Sequence, residues 1–207
     1  MGKISKIEVQ KKRKDRYSIF VDGKFQVGLS EKDFLELGIK KDQELNEKDL
    51  KIIKDRSNES KVREKAVRLL SIRPQSEDEI RKKLEAKKYD FRLIKKTISW
   101  LKKEALLNDT KFAKIWINNR KNFHPLGKRR LFLELNKKSV NRNIIEKEIK
   151  KISDTEELSA ASRLVERRII PYKGLEKYKK REKIISFLSR RGYSWDIIKG
   201  VIDRFKI

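Results

Sequence analysis

The sequence predicts a mainly α-helical chain: three tandem three-helix repeats in an elongated array, preceded by a small N-terminal segment containing a β-hairpin. Three observations carry this expectation. One apolar pattern recurs three times, an Asp22-Gly23 pair divides alternating apolar runs near the start, and all three prolines fall at one place in the repeat. Composition agrees. Only 37% of the 207 residues are apolar and 43% are charged, too little for one large core but enough for units that each bury one face against a neighbour.

The N-terminal segment, residues 1–58, reads as strands and short helices. Ile7 and Val9 alternate with polar residues, as do Tyr17, Ile19 and Val21, then Phe25 and Val27. Asp22-Gly23 suits the two-residue hairpin turn, because both residues tolerate positive φ. Residues 11–16 are polar and basic and read as a connector. Ser30 opens a short helix ended by Gly38, and Asn46 with Asp49 opens another. Asp22 and Lys24 could be read as half of a nuclease site, but no second carboxylate supports it nearby, so the plain turn is preferred.

The repeats occupy 59–108, 109–153 and 154–207. Leu84, Leu135 and Leu188 serve as origins, 51 and 53 residues apart. Four residues before each stands Ile80, Leu131 or Ile184; ten after stands Ile94, Ile145 or Ile198; fourteen after stands Ile98, Ile149 or Ile202. Spacings of four place each pair on one helical face. Between the two stretches lie a basic residue (Lys87, Lys138, Arg191) and then an N-cap residue (Asp90, Asn141, Ser194). Helix, tight turn and capped helix follow. A further helix precedes each pair: Ala66, Leu69 and Arg73 match Ala113, Trp116 and Arg120, and both match Ala161, Leu164 and Arg168. Pro74, Pro125 and Pro171 then break the chain.

Lysine and arginine outnumber acids by 26, an excess that favours polyanionic partners, nucleic acid first. No apolar run approaches the length of a membrane span and no signal segment opens the chain, so the expected place is the cytoplasm, with no membrane partner. The absence of cysteine removes disulfides, thiolate zinc sites and cysteine nucleophiles. His124, the sole histidine, is a poor basis for a metal site or a general base. Glu77, Glu79, Glu156 and Glu157 lie among lysines and are expected on helix surfaces, where nothing raises a pKa as acid catalysis would need. The chain reads as no enzyme, with no cofactor.

Arg73, Pro74, Gln75 and Ser76 through Glu79, Ile80, Lys83 and Leu84 resemble the signature of the RecX regulatory proteins. So does the run from Leu107, Asn108 and Asp109 through Phe112, Ala113, Trp116 and Arg120 to Gly127, Leu131, Glu134 and Leu135. The resemblance spans residues 60 to 207 and extends to the strand-bearing segment of longer members. One departure is Asn136, where lysine or arginine is more usual. The resemblance implies a monomeric bacterial modulator of the RecA recombinase, lying in the groove of the RecA filament on single-stranded DNA. Interference with ATP hydrolysis, strand exchange and repressor cleavage is implied with it, and so are roles in homologous recombination, DNA repair and the SOS response. The alternative is a direct DNA-binding architectural or regulatory protein, since basic three-helix units can mimic helix-turn-helix modules.

Candidate contact residues are basic. Arg73, Arg120 and Arg168 recur at one repeat position, where they either complement the C-terminal helix dipole or form a partner-facing ridge. Lys128, Arg129 and Arg130 follow Gly127 at a helix start and could meet a phosphate, or could be a solvated face. The flanking pattern of a nucleotide P-loop is missing there. Arg81, Lys82, Lys179, Lys180, Arg190 and Arg191 complete the set. Trp116 and Trp100 are expected in cores and Trp195 is expected to be partly exposed.

Overall fold

The computed structural model describes residues 2–169 and 174–207; the break expected at Pro171 lies outside the described residues. Strands β1 (Gly2–Gln10), β2 (Arg13–Val21), β3 (Lys24–Ser30) and β4 (Glu44–Leu45) form an antiparallel sheet in the order β3-β2-β1-β4. Asp22 and Gly23 both have positive φ (49° and 77°), which matches the turn's twist to that of β2 and β3. Residues 11–16 are not a connector. Only Lys11 and Lys12 turn, and Arg13 to Arg16 already belong to β2. This end of the hairpin is solvated and charged, so it lacks the alternation that marks the buried part.

Pairing of Ile7 with Ile19, and of Ile19 with Val27, sets the register. It places Ile4, Ile19, Val21, Val27 and Leu29 in one core, closed by Ile39, Leu45 and Ile53. Helix α1 (Glu31–Glu36) starts at the Ser30 cap, and Gly38 follows it at φ 59°. Buried Asp33 is held by Ser30, by Arg56 (Nε donating at 2.8 Å) and by Ser60. Burial pushes its carboxyl pKa up, but these hydrogen bonds outweigh that and hold it below the usual range.

The helix opened by Asn46 is not short. With its capping box at Asn46 and Asp49, α2 (Glu47–Ile72) runs unbroken for 26 residues, so residues 58 and 59 fall inside it. Its buried positions explain why it reads as two pieces. Ile53 and Ser57 share one face, whereas Val62 and Ala66 share another, roughly half a turn round at about 100° per residue. No single apolar stripe runs its length.

The rest is helical. Helices α3 (Glu77–Glu85) and α4 (Phe91–Lys103) follow α2; α5 (Asp109–Phe123), α6 (Lys128–Lys137) and α7 (Arg142–Ile149) form the second repeat; α8 (Asp154–Ile169), α9 (Lys177–Arg190) and α10 (Trp195–Phe205) form the third. Asp90, Asn141 and Ser194 cap α4, α7 and α10 as expected. Four residues after each origin leucine the backbone turns left-handed, at Lys88 (φ 58°), Ser139 (φ 56°) and Gly192 (φ 80°). The next amide (Tyr89, Val140, Tyr193) then donates to the origin leucine's carbonyl, which stops the helix the same way three times. Ala66, Ala113 and Ala161 are fully buried, the small residue at the matching place in each repeat.

Two compact units result: Met1–Arg73 with Arg81–Leu106, and Pro74–Ile80 with Leu107–Ile207. In the first, α2 packs on β3 and on α4. In the second, the cores of the two later repeats are separate clusters, around Phe112, Leu131, Leu135 and Ile145 and around Val165, Ile184, Leu188 and Ile198. No described helix is long and apolar enough to cross a membrane.

Candidate partner-binding surface

The second unit holds two joints built on one plan. At the start of α3, the Glu77 amide donates to the Asp109 carboxylate (2.9 Å), and the Ser76 hydroxyl donates to the Lys138 carbonyl (2.8 Å). At the start of α6, the Lys128 amide donates to the Glu157 carboxylate (2.9 Å), and the Gly127 amide donates to the Arg191 carbonyl (3.0 Å). Asp109 and Glu157 each precede the buried repeat alanine by four residues; Lys138 and Arg191 each follow the origin leucine by three. Each joint therefore gives an acid from the next repeat to a helix N-terminus, where the macrodipole favours negative charge.

This arrangement corrects two readings. Glu157 is not a surface residue but 5% exposed, and the anion at the start of α6 is this carboxylate. Lys128 also pairs with Asp154 (2.6 Å) and Glu157 (3.4 Å). Burial lowers its pKa, but both carboxylates raise it further, so the net shift is upward. Glu79 is likewise half-buried, accepting from the Lys138 ammonium at 2.8 Å.

The recurrent arginines meet rings. Arg120 donates from Nε to Glu134 (2.7 Å) and lies 4.7 Å from the centre of the Trp116 ring, whose Nε1 donates to the same Glu134 oxygen (2.9 Å). The Lys138 ammonium lies 4.3 Å from that ring. In the third repeat Leu164 replaces the tryptophan, yet the arrangement survives on Phe187, with Arg168 at 5.2 Å and Arg191 at 4.9 Å. Trp116 is half-buried against its core, and Trp100 is half-buried with Arg63 4.9 Å from its ring. Trp195 is 56% exposed.

The structure brings some candidates together and scatters others. Arg191 also donates to the Pro125 carbonyl (3.1 Å), so it belongs to the joint that holds Lys128. Arg129 and Arg130 are exposed on the first turn of α6, and Arg130 carries its backbone against Gly192. Arg73 is exposed at the C-cap of α2, and Arg81 is half-buried beside exposed Lys82 on α3. On α9, Lys179 pairs with Glu176 (3.0 Å), Lys180 is half-buried, and Arg190 is exposed and donates to Ser186. Glu134, Asp109 and Glu157 were missed by sequence reasoning. Their signal is positional only: Asp109 and Glu157 align once the repeat alanines are superposed.

Among the described residues no cluster of His, Cys, Asp and Glu could hold a metal ion. The fold defines a class: three-helix units in tandem behind a small sheet, with basic helix faces.

Comparison with known proteins makes the class particular. Models of the RecX N-terminal domain and of the first, second and third RecX three-helix domains match residues 2–46, 63–101, 108–148 and 154–202 in order. The regulatory protein RecX of Clostridioides difficile is 34% identical over 99% of this chain and 96% of its own length. That of Clostridium perfringens is 31% identical, again over 99% and 96%. A crystal structure of regulatory protein RecX matches with TM-score 0.80 at 24% identity, covering 98% of this chain and all of the other. RecX from Lactobacillus salivarius matches with TM-score 0.68 at 26% identity over 72% of this chain and 97% of that one. The chain belongs to the RecX family of regulatory proteins.

Proposed function

We propose that this chain regulates the RecA recombinase by binding RecA filaments on single-stranded DNA, and that it does so without chemistry of its own. The supporting observation is the ordered series of four RecX segments between residues 2 and 202. Regulation is inhibitory and affects ATP hydrolysis, strand exchange and coprotease activity together, because all three depend on an extended filament. Contact falls to the exposed cations of the second helices, Lys82, Arg129, Arg130 and Arg190, and to Arg73. Arg120, Lys128, Arg168 and Arg191 order the repeats behind them.

The test is a titration into cognate RecA filaments on single-stranded DNA, following ATP hydrolysis. Inhibition at well under one chain per RecA is expected. Arg129→Glu with Arg130→Glu should raise the half-inhibiting concentration at least roughly tenfold, about 1.4 kcal/mol. An unchanged hydrolysis rate at equimolar protein would sink the reading.

A further inference from the structure

The first unit carries a basic groove that the RecA reading leaves unused. It measures about 430 Å³ and lies between the turn end of the β1–β2 hairpin, β3 and α2. Five cations line it, Arg13, Arg16, Lys61, Lys65 and Arg68, against the single carboxylate of Glu64. The helix period explains one wall: residues 61, 65 and 68 stand at i, i+4 and i+7 and so share a face of α2. The opposite wall is pinned. Arg16 is 6% exposed and donates to the Gly28 carbonyl (2.9 Å) and to Glu64 (3.2 Å); Ser57 of α2 donates to the same Gly28 carbonyl (2.6 Å). Glu64 thus serves Arg16 and Arg13, while Lys61, Lys65 and Arg68 form no ion pair among the described residues.

Two rings complete the lining, Phe25, which is 56% exposed, and half-buried Tyr89. Exposed Lys11, Lys12 and Lys14 continue the positive track along the hairpin end. Cations in a row with an open aromatic face are the chemistry of a strand that carries phosphates on one side and bases on the other. An acidic peptide would match the charge but would leave Phe25 without a role.

We infer that this groove binds a single strand of nucleic acid, its phosphates on Lys61, Lys65 and Arg68 and a base on Phe25. The site uses no residue of the proposed RecA-contacting set, and its test contains no RecA, so either reading can fail alone.

The experiment is fluorescence anisotropy of labelled oligo(dT) and oligo(U) with the full chain across a salt series. Lys61→Glu, Lys65→Glu and Arg68→Glu together should weaken binding at least tenfold at low salt. They should also flatten the salt slope by about two, roughly 0.7 for each lost phosphate contact. Phe25→Ala should weaken binding on the order of tenfold while leaving that slope unchanged. A charge-matched control on exposed α4 residues, Lys95→Glu with Lys96→Glu and Lys103→Glu, should lose far less. Binding of both oligomers supports a groove that accepts either sugar; binding of one alone supports the same groove with a preference. The inference is overturned if the control loses as much as the groove variant, if Phe25→Ala binds normally, or if polyglutamate displaces the oligomer as well as unlabelled oligo(dT) does.

Discussion

The two joints of the second unit share a backbone plan and differ in what fills it. At the start of α3 the work falls to side chains: Ser76 to the Lys138 carbonyl, Ser139 to Asp78, and Lys138 to Glu79. At the start of α6 main chain meets main chain. A Cβ on Gly127 would lie 2.2 Å from the Gly192 carbonyl oxygen, and one on Gly192 would lie 2.4 Å from the Arg130 nitrogen. The position of Glu79 is taken by Arg130 and that of Lys138 by Arg191, so two cations occupy the repeat positions of an ion pair. Close approach through glycine is what permits a joint there without an ion pair at those two positions. The first joint should answer to chemistry and the second to sterics.

The largest expected effect is therefore at the glycines. Gly127→Ala should destabilise the second unit by about 2–3 kcal/mol, since backbone, not a flexible tip, must move. Gly192→Ala should cost about 1 kcal/mol more because its φ is 80°. Denaturant unfolding measures both, and hydrogen exchange should show protection lost first around α6 and α9. If Gly127→Ala unfolds like the parent chain, the steric account of this joint is wrong.

A smaller effect is expected at the first joint. Lys138→Met removes the Glu79 pair and the cation over Trp116, at a cost of about 2 kcal/mol. A double-mutant cycle with Glu79→Gln should leave a coupling near ~1 kcal/mol, and the same cycle between residues 130 and 191 should leave none. Trp116 emission should shift in Lys138→Met, an optical check that needs no unfolding.

The smallest concerns pH. The net upward shift at Lys128, set by burial against the pull of Asp154 and Glu157, means that its folded pKa exceeds the unfolded one. Its contribution is full below about pH 10.4 and fades as pH rises through the higher folded value. Thermal melts between about pH 9 and 11.5 should therefore show a steeper loss for the parent chain than for Lys128→Met. Equal slopes would remove Lys128 from the second joint.

These contrasts also mark what the sequence disclosed. Origin leucines, caps and repeat alanines were legible because burial and capping demand residue types at fixed spacing. The left-handed turn residue was not: Lys88 and Ser139 stand where glycine is the signal, and only Gly192 obeys it. Glu157 read as surface because its neighbours are charged, whereas its partner, an amide of another repeat, has no side-chain signature. The long α2 was hidden because its two buried faces point different ways. The basic candidates were found by charge and repeat position, and neither separates Arg129, left in solvent, from Arg120, spent on Glu134 and Trp116.

That long helix acts as a gear. Ile53 engages the sheet at one end and Arg63 meets Trp100 of α4 further along, with no hinge between them. One residue inserted between them would rotate the sheet by about 100° and shift it by about 1.5 Å against the first repeat, carrying β3 out of phase with Lys61, Lys65 and Arg68. Length in this stretch is thus fixed almost to the residue, whereas loops can lengthen freely. Variation among relatives should fall accordingly: substitutions throughout α2, but insertions only at its ends or in multiples that restore the phase.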